Sequence, residues 1–228
     1  MRLLVSAPRA RTTGVAVVLH GGRSTSTAPV RATQLAVLRM QPFAASLRRG
    51  GAADGLAVAQ VRYRVRGWNG TQRSPVADVE QALDELAARF PDVPFALVGH
   101  SMGGRAALYA AGHEQVRAVV GLAPWIERGD PMRQLAGRRV LLAHGDHDRM
   151  TSPRASAAYA RAAASIAEAV SFVEIAGEKH AMLHRAGLWH SLSTGFVLGV
   201  LYGRLPDEGG DAAAVLAGAL AGEPALVV

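Results

Sequence analysis

Phe95-Ala96-Leu97-Val98-Gly99-His100-Ser101-Met102-Gly103-Gly104 decides how this chain is read. Four apolar residues predict a buried strand, and Met102 to about Ala111 predicts a helix. Between them lies Gly99-x-Ser101-x-Gly103, a G-x-S-x-G pattern. Five-residue patterns recur by chance, so the context carries the argument. A strand that turns sharply into a helix through a serine is the setting of a nucleophile elbow. Larger side chains at Gly99 and Gly103 are expected to collide with neighbouring elements, which gives both glycines a steric reason. The turn lifts the Ser101 hydroxyl to the carboxyl edge of the sheet, where open α/β sheets bind ligands.

Working outward, short apolar runs alternate with helical patterns on both sides of the elbow. The expected strands are 15–19, 56–63, 95–98, 116–122, 140–143 and 171–175, with 3–6 as a possible seventh. Between them, 30–47, 75–90, 102–111, 153–170 and 184–201 read as helical, with Pro42 able to kink or split the first and Pro75 suited to a first turn. Alternation of this kind predicts an α/β fold, a mostly parallel sheet with helices on both faces. At 228 residues the chain is read as one domain, with a core at about 14–202. From 203 to 228 it turns Gly- and Ala-rich and is expected to be a flexible or weakly helical tail.

A serine hydroxyl needs a base, and the base needs an orienting acid. Behind an elbow of this type the partners follow in the order acid, then histidine, each just past a strand. His144-Gly145-Asp146-His147-Asp148 follows the strand at 140–143 and offers Asp146 and Asp148. Gly177-Glu178-Lys179-His180 follows the strand at 171–175 and offers His180. The backbone N–H of Met102 and one from the Gly21-Gly22 loop are the expected oxyanion donors. His144, Asp146 and His147 together could also suggest a metal site, but the acid role already explains that loop. No metal and no cofactor are therefore expected.

These motifs make the chain similar to the α/β-hydrolase superfamily over roughly 14–202. Gly99-His100-Ser101-Met102-Gly103-Gly104 resembles that family's common elbow. His144-Gly145-Asp146-His147-Asp148 matches its H-G-x-x-D acid loop, which implies Asp148 rather than Asp146. His20-Gly21-Gly22 resembles its oxyanion loop and implies Gly22 as the second donor. The resemblance thus implies a Ser101–Asp148–His180 triad. It also implies that Trp125, just past the strand at 116–122, points toward the site as a candidate pocket wall. Larger relatives insert a helical cap where this chain has only Pro124–Arg138, about fifteen residues, so no cap domain is expected.

The implied activity is hydrolysis of small or medium acyl esters through an acyl-enzyme. Thioesterase, lysophospholipase, peptidase and acyltransferase reactions would use the same residues, and a non-hydrolytic binding protein on this fold is the reading from a different class. The net charge is +7, but all but one of the 25 basic residues are scattered arginines with no basic run, so a solvated surface and no nucleic-acid partner are expected. The chain has no cysteine, which removes disulfides and thiolate chemistry. The longest apolar run, 195–202, is too short to span a membrane, and the apolar stretch at 3–7 is too short for a signal peptide, so a cytoplasmic location is expected.

Overall fold

The computed structural model describes residues 1–9, 11–204 and 210–228. Eight strands form one sheet in the order β1-β3-β2-β4-β5-β6-β7-β8. They are β1 (Arg2–Ser6), β2 (Gly14–Leu19), β3 (Leu56–Arg62), β4 (Phe95–His100), β5 (Val116–Leu122), β6 (Arg139–Gly145), β7 (Ala169–Ile175) and β8 (Ala225–Val227). β1 runs antiparallel to β3, and every other neighbouring pair is parallel.

The helices are α1 (Leu35–Arg39), α2 (Gln41–Gly50), α3 (Ser74–Arg89), α4 (Met102–Ala110), α5 (Pro153–Ala163), α6 (Ala186–Tyr202) and α7 (Asp211–Ala221). α2, α6 and α7 cover one face of the sheet, and α3, α4 and α5 cover the other. Both faces are therefore dry. Val15, Val17 and Leu19 of β2 enter one core cluster, while Ala16 and Val18 enter the other. That is why β2 reads as an unbroken apolar run rather than an alternation. The expected first helix is split at Met40, with Pro42 in the first turn of α2, where its missing N–H costs nothing.

Two expectations need correction. α5 ends at Ala163 rather than near 170, because β7 already starts at Ala169 and pairs residue for residue with β6. Of the two forms expected for the tail, helix is the one found at α7, and the strand β8 was not expected. Residues 205–209 of the tail lie outside the described residues, but α7 buries Val215, Leu216 and Ala219 against the sheet, and β8 adds an eighth strand beside β7. Among the described residues, 123–138 carries a short 3₁₀ turn (Arg133–Leu135) and a single β-bridge from Ala136 to Ala167, and no cap domain covers the carboxyl edge.

The chain runs from β2 to β3 on one side and from β3 to β4 on the other. The strand order therefore reverses between β2 and β4. The crevice outside their carboxyl ends is bounded by the loop carrying Gly22 and the turn carrying Ser101, the place where doubly wound sheets bind ligands.

Candidate active site

Ser101 sits between β4 and α4 with φ 55° and ψ −118°, a conformation that costs a non-glycine residue energy and persists only when its surroundings enforce it. Three backbone bonds do so. The Ser101 N–H donates to Leu122 (3.0 Å), and the Ser101 carbonyl accepts from Arg105 and Trp125 (3.1 Å each). The flanking glycines admit no side chain. A Cβ on Gly99 would lie 2.3 Å from the Gly103 carbonyl oxygen, and one on Gly103 would lie 2.5 Å from that of Leu19.

The triad candidates converge. His180 Nε2 lies 3.1 Å from Ser101 Oγ, and His180 Nδ1 lies 2.7 Å from Asp148 Oδ2. Asp148 is buried, which alone would raise its pKa. Hydrogen bonds from His144, His180 and the N–H groups of Thr151 and Met150 outweigh burial and hold the carboxyl well below the usual carboxylate range. Asp146 does different work: exposed at the surface, it accepts the Gly177 N–H at 2.7 Å and ties the acid loop to the histidine loop. The two loops close further where His147 N–H donates to Glu178 (3.0 Å) and where Gly145 passes so near Glu178 that a Cβ would sit 2.3 Å from its carbonyl oxygen.

The oxyanion candidates lie side by side. Gly22 packs on the Met102 side chain so closely that a Cβ would fall 2.3 Å from Met102 Cε and 2.4 Å from the Arg66 carbonyl oxygen. Among the described residues, the N–H groups of Gly22 and Met102 have no protein acceptor, whereas the next N–H, of Arg23, is taken by Arg66 at 2.9 Å. Two adjacent unpaired donors beside a serine hydroxyl suit a developing oxyanion.

Three other histidines, His20, His100 and His144, lie near this centre. His100 is buried and directs Nε2 at the His180 carbonyl (3.0 Å), with the two rings 4.7 Å apart. Burial, with the nearby His180 adding to it, pushes its pKa down to about 3. Burial likewise lowers His20 to about 4. The metal alternative does not assemble. His144 faces Asp148 and Ser156 with its two nitrogens, Asp146 is engaged with Gly177, and no metal-competent cluster occurs among the described residues.

Trp125 is half-buried and lines a cavity of about 430 Å³ with Trp68, Tyr109 and Arg73. Sequence reasoning did not see what stands beneath it. The Arg105 guanidinium lies 4.3 Å from the Trp68 ring centroid and 4.6 Å from that of Trp125. It is also paired with Asp130 (2.7 Å) and Glu127 (2.8 Å). Arg105 stands four residues after Ser101, so a motif scan could have flagged the position but not its partners.

The family model described as serine aminopeptidase, S33, matches residues 12–140, more than half of the chain. The match includes Gly22 and Ser101 and stops before Asp148 and His180. No curated protein matches the chain. Among solved structures, a putative α/β-hydrolase of unknown function from Agrobacterium tumefaciens is similar at 14% identity and TM-score 0.68, covering 91% of this chain and 94% of that one. A serine hydrolase without a lid from Xanthomonas campestris is similar at 17% identity and TM-score 0.62, covering 91% and 90%. Est1E from Butyrivibrio proteoclasticus, with ferulic acid bound, is similar at 15% identity and TM-score 0.62, covering 87% and 94%. At such identities the structures speak for the fold, and the family match speaks for the class: this chain belongs to the serine aminopeptidase S33 family and is a serine hydrolase of the α/β-hydrolase superfamily.

Proposed function

We propose that the protein hydrolyses carboxylic esters of small or medium acyl groups through a Ser101–His180–Asp148 triad. The observation that carries this reading is the unbroken chain from Ser101 Oγ to His180 Nε2 (3.1 Å) and from His180 Nδ1 to Asp148 Oδ2 (2.7 Å). Ser101 Oγ attacks the ester carbonyl carbon while His180 Nε2 takes its proton. Asp148 holds the imidazole with Nδ1–H toward the carboxylate and stabilises the imidazolium. The N–H groups of Met102 and Gly22 receive the oxyanion. The imidazolium returns its proton to the leaving alcohol. A water, deprotonated by His180, then attacks the acyl-enzyme and frees the acid and Ser101. These residues need neither metal nor cofactor, and the expected partner is a small-molecule ester rather than a nucleic acid.

The family's description makes peptide-bond cleavage at a free amino terminus the second reading. Such a substrate needs a carboxylate to hold its ammonium group. On the loop after β5, Glu127 and Asp130 are already engaged by Arg105, which favours esters. The open cavity lined by Trp125 and Tyr109 does not have Ser101 or His180 in its lining, so the reading rests on the triad geometry and not on that cavity.

The test is Ser101→Ala. Loss of hydrolysis on the order of 10⁶-fold in kcat, with fluorophosphonate labelling abolished and the fold retained, is expected. More than a tenth of wild-type activity in the purified variant would remove Ser101 as the nucleophile.

A further inference from the structure

Asp148 gathers more donors than a triad acid requires. Its Oδ1 accepts the N–H groups of Met150 (2.7 Å) and Thr151 (3.0 Å). Its Oδ2 faces His180 Nδ1 (2.7 Å), Thr151 Oγ1 (2.8 Å) and His144 Nε2 (3.1 Å). His144 is fully buried at the end of β6, and its Nδ1 lies 2.9 Å from Ser156 Oγ, which is fully buried on α5.

The result is a second serine–histidine pair on the same carboxylate oxygen. Ser101–His180 arrives from the solvent side, and Ser156–His144 arrives from inside the protein. The two histidines present opposite nitrogens: His180 offers Nδ1 and His144 offers Nε2. A carboxylate only accepts, so His144 Nε2 carries a proton, and the Ser156 hydroxyl is placed to donate to Nδ1. With both residues at 0% exposure, the inner pair meets no substrate and is no second active site.

We propose that His144 is a positioning residue for the hydrolytic reaction, fixing the rotation of the Asp148 carboxylate so that Oδ2 stays in line with His180 Nδ1, while Ser156 fixes the His144 ring. This rests on the triad reading above. The physical reason is that a carboxylate torsion is soft and broad, whereas a base must be held within about 0.5 Å of its productive place. The two backbone donors anchor Oδ1, and His144 is a second imidazole donor that anchors Oδ2 beside His180. Thr151 is not an equivalent anchor. Its hydroxyl also lies near Ala123 O (3.2 Å), His144 Nε2 (3.2 Å) and His180 Nδ1 (3.1 Å), and it has a single proton to direct.

The experiment is a double-mutant cycle read as the rate of fluorophosphonate labelling at Ser101, located by peptide mapping. The proteins are wild type, His144→Phe, Asp148→Asn and the double variant. His144→Phe alone is expected to slow labelling about 10- to 100-fold, the size found for residues that orient the ligands of a metal site and applied here by analogy. On the Asp148→Asn background the same change is expected to cost less than about twofold, because the group it acts through is already impaired. A purely structural role would lower Tm without this coupling. A wild-type rate in His144→Phe, or a loss that persists in full on Asp148→Asn, overturns the proposal. If His144→Phe does not fold, Ser156→Ala decides: a smaller loss that vanishes on Asp148→Asn supports the proposal, and no loss, or one that persists, overturns it. A wild-type rate in Asp148→Asn alone would instead remove the triad reading, and this proposal with it.

Discussion

Gly22→Ala tests the oxyanion assignment at a position where the structure supplies the magnitude. The added Cβ would stand 2.3 Å from Met102 Cε, 2.5 Å from Met102 Sδ and 2.4 Å from the Arg66 carbonyl oxygen. A methionine side chain can swing aside. The Arg66 carbonyl cannot do so freely, because it also accepts the Arg23 N–H at 2.9 Å. The oxyanion loop must therefore shift, carrying the Gly22 N–H away from its place beside the Met102 N–H. Loss of one preorganised donor costs about 10²–10³ in kcat, roughly 2.7–4 kcal/mol of transition-state stabilisation. The donor acts on a charge that exists only in the transition state, so KM should stay within a few-fold while kcat and kcat/KM fall together. Stability should fall by about 1–3 kcal/mol from overpacking, measured by urea unfolding. Gly187→Ala is the control, since a Cβ there meets nothing within 4 Å. The assay is steady-state kinetics on a soluble chromogenic ester, with both variants shown to be folded. A Gly22→Ala enzyme with wild-type kcat would refute the reasoning.

Asp148→Asn should lower kcat by roughly 10⁴ if the His180 tautomer is reversed, whereas Asp146→Asn should act mainly on the tie to Gly177; an equal or larger kcat loss at Asp146 would reverse the assignment. Stability should decline below about pH 6.5. His20 and His100 have folded pKa values depressed to about 4 and about 3, so the unfolded chain takes up their protons first, and each costs on the order of 3–5 kcal/mol by pH 3–4. Urea unfolding from pH 7 to 4 checks this, and His100→Gln should flatten the slope by close to one proton. Without a cap, the rate on a medium-chain ester should saturate smoothly across its solubility limit, and a sharp rise at that limit would mean that a closing element exists.

How much of this was legible before the structure depended on how local each cause is. The elbow could be read because one of its constraints acts within five residues: a Cβ on Gly99 would meet the Gly103 carbonyl. The strands could be read because a sheet buried on both faces demands continuous apolar runs, and 95–98 and 118–122 meet that demand on their own. β8 could not. Its three residues carry no pattern of their own and become a strand only because β7 leaves an edge for them to pair with. Composition left the tail open between flexible and helical for the same reason, since the apolar side of α7 has meaning only against that sheet.

In the site, the sequence by itself offered Ser101, two acid candidates and His180 in that order, because the chemistry restricts the residue types and the strand ends restrict their places. Family resemblance chose Asp148 over Asp146. Only the tertiary structure decided what each neighbour does. It set Asp146 on Gly177, His100 on the His180 carbonyl, Arg105 between Trp68 and Trp125, and His144 on the same Asp148 oxygen as His180. These pairings depend on burial and on contacts between loops distant in the chain. A histidine's spacing says nothing of which nitrogen will face a carboxylate, and that is settled only when the strands bring the loops together.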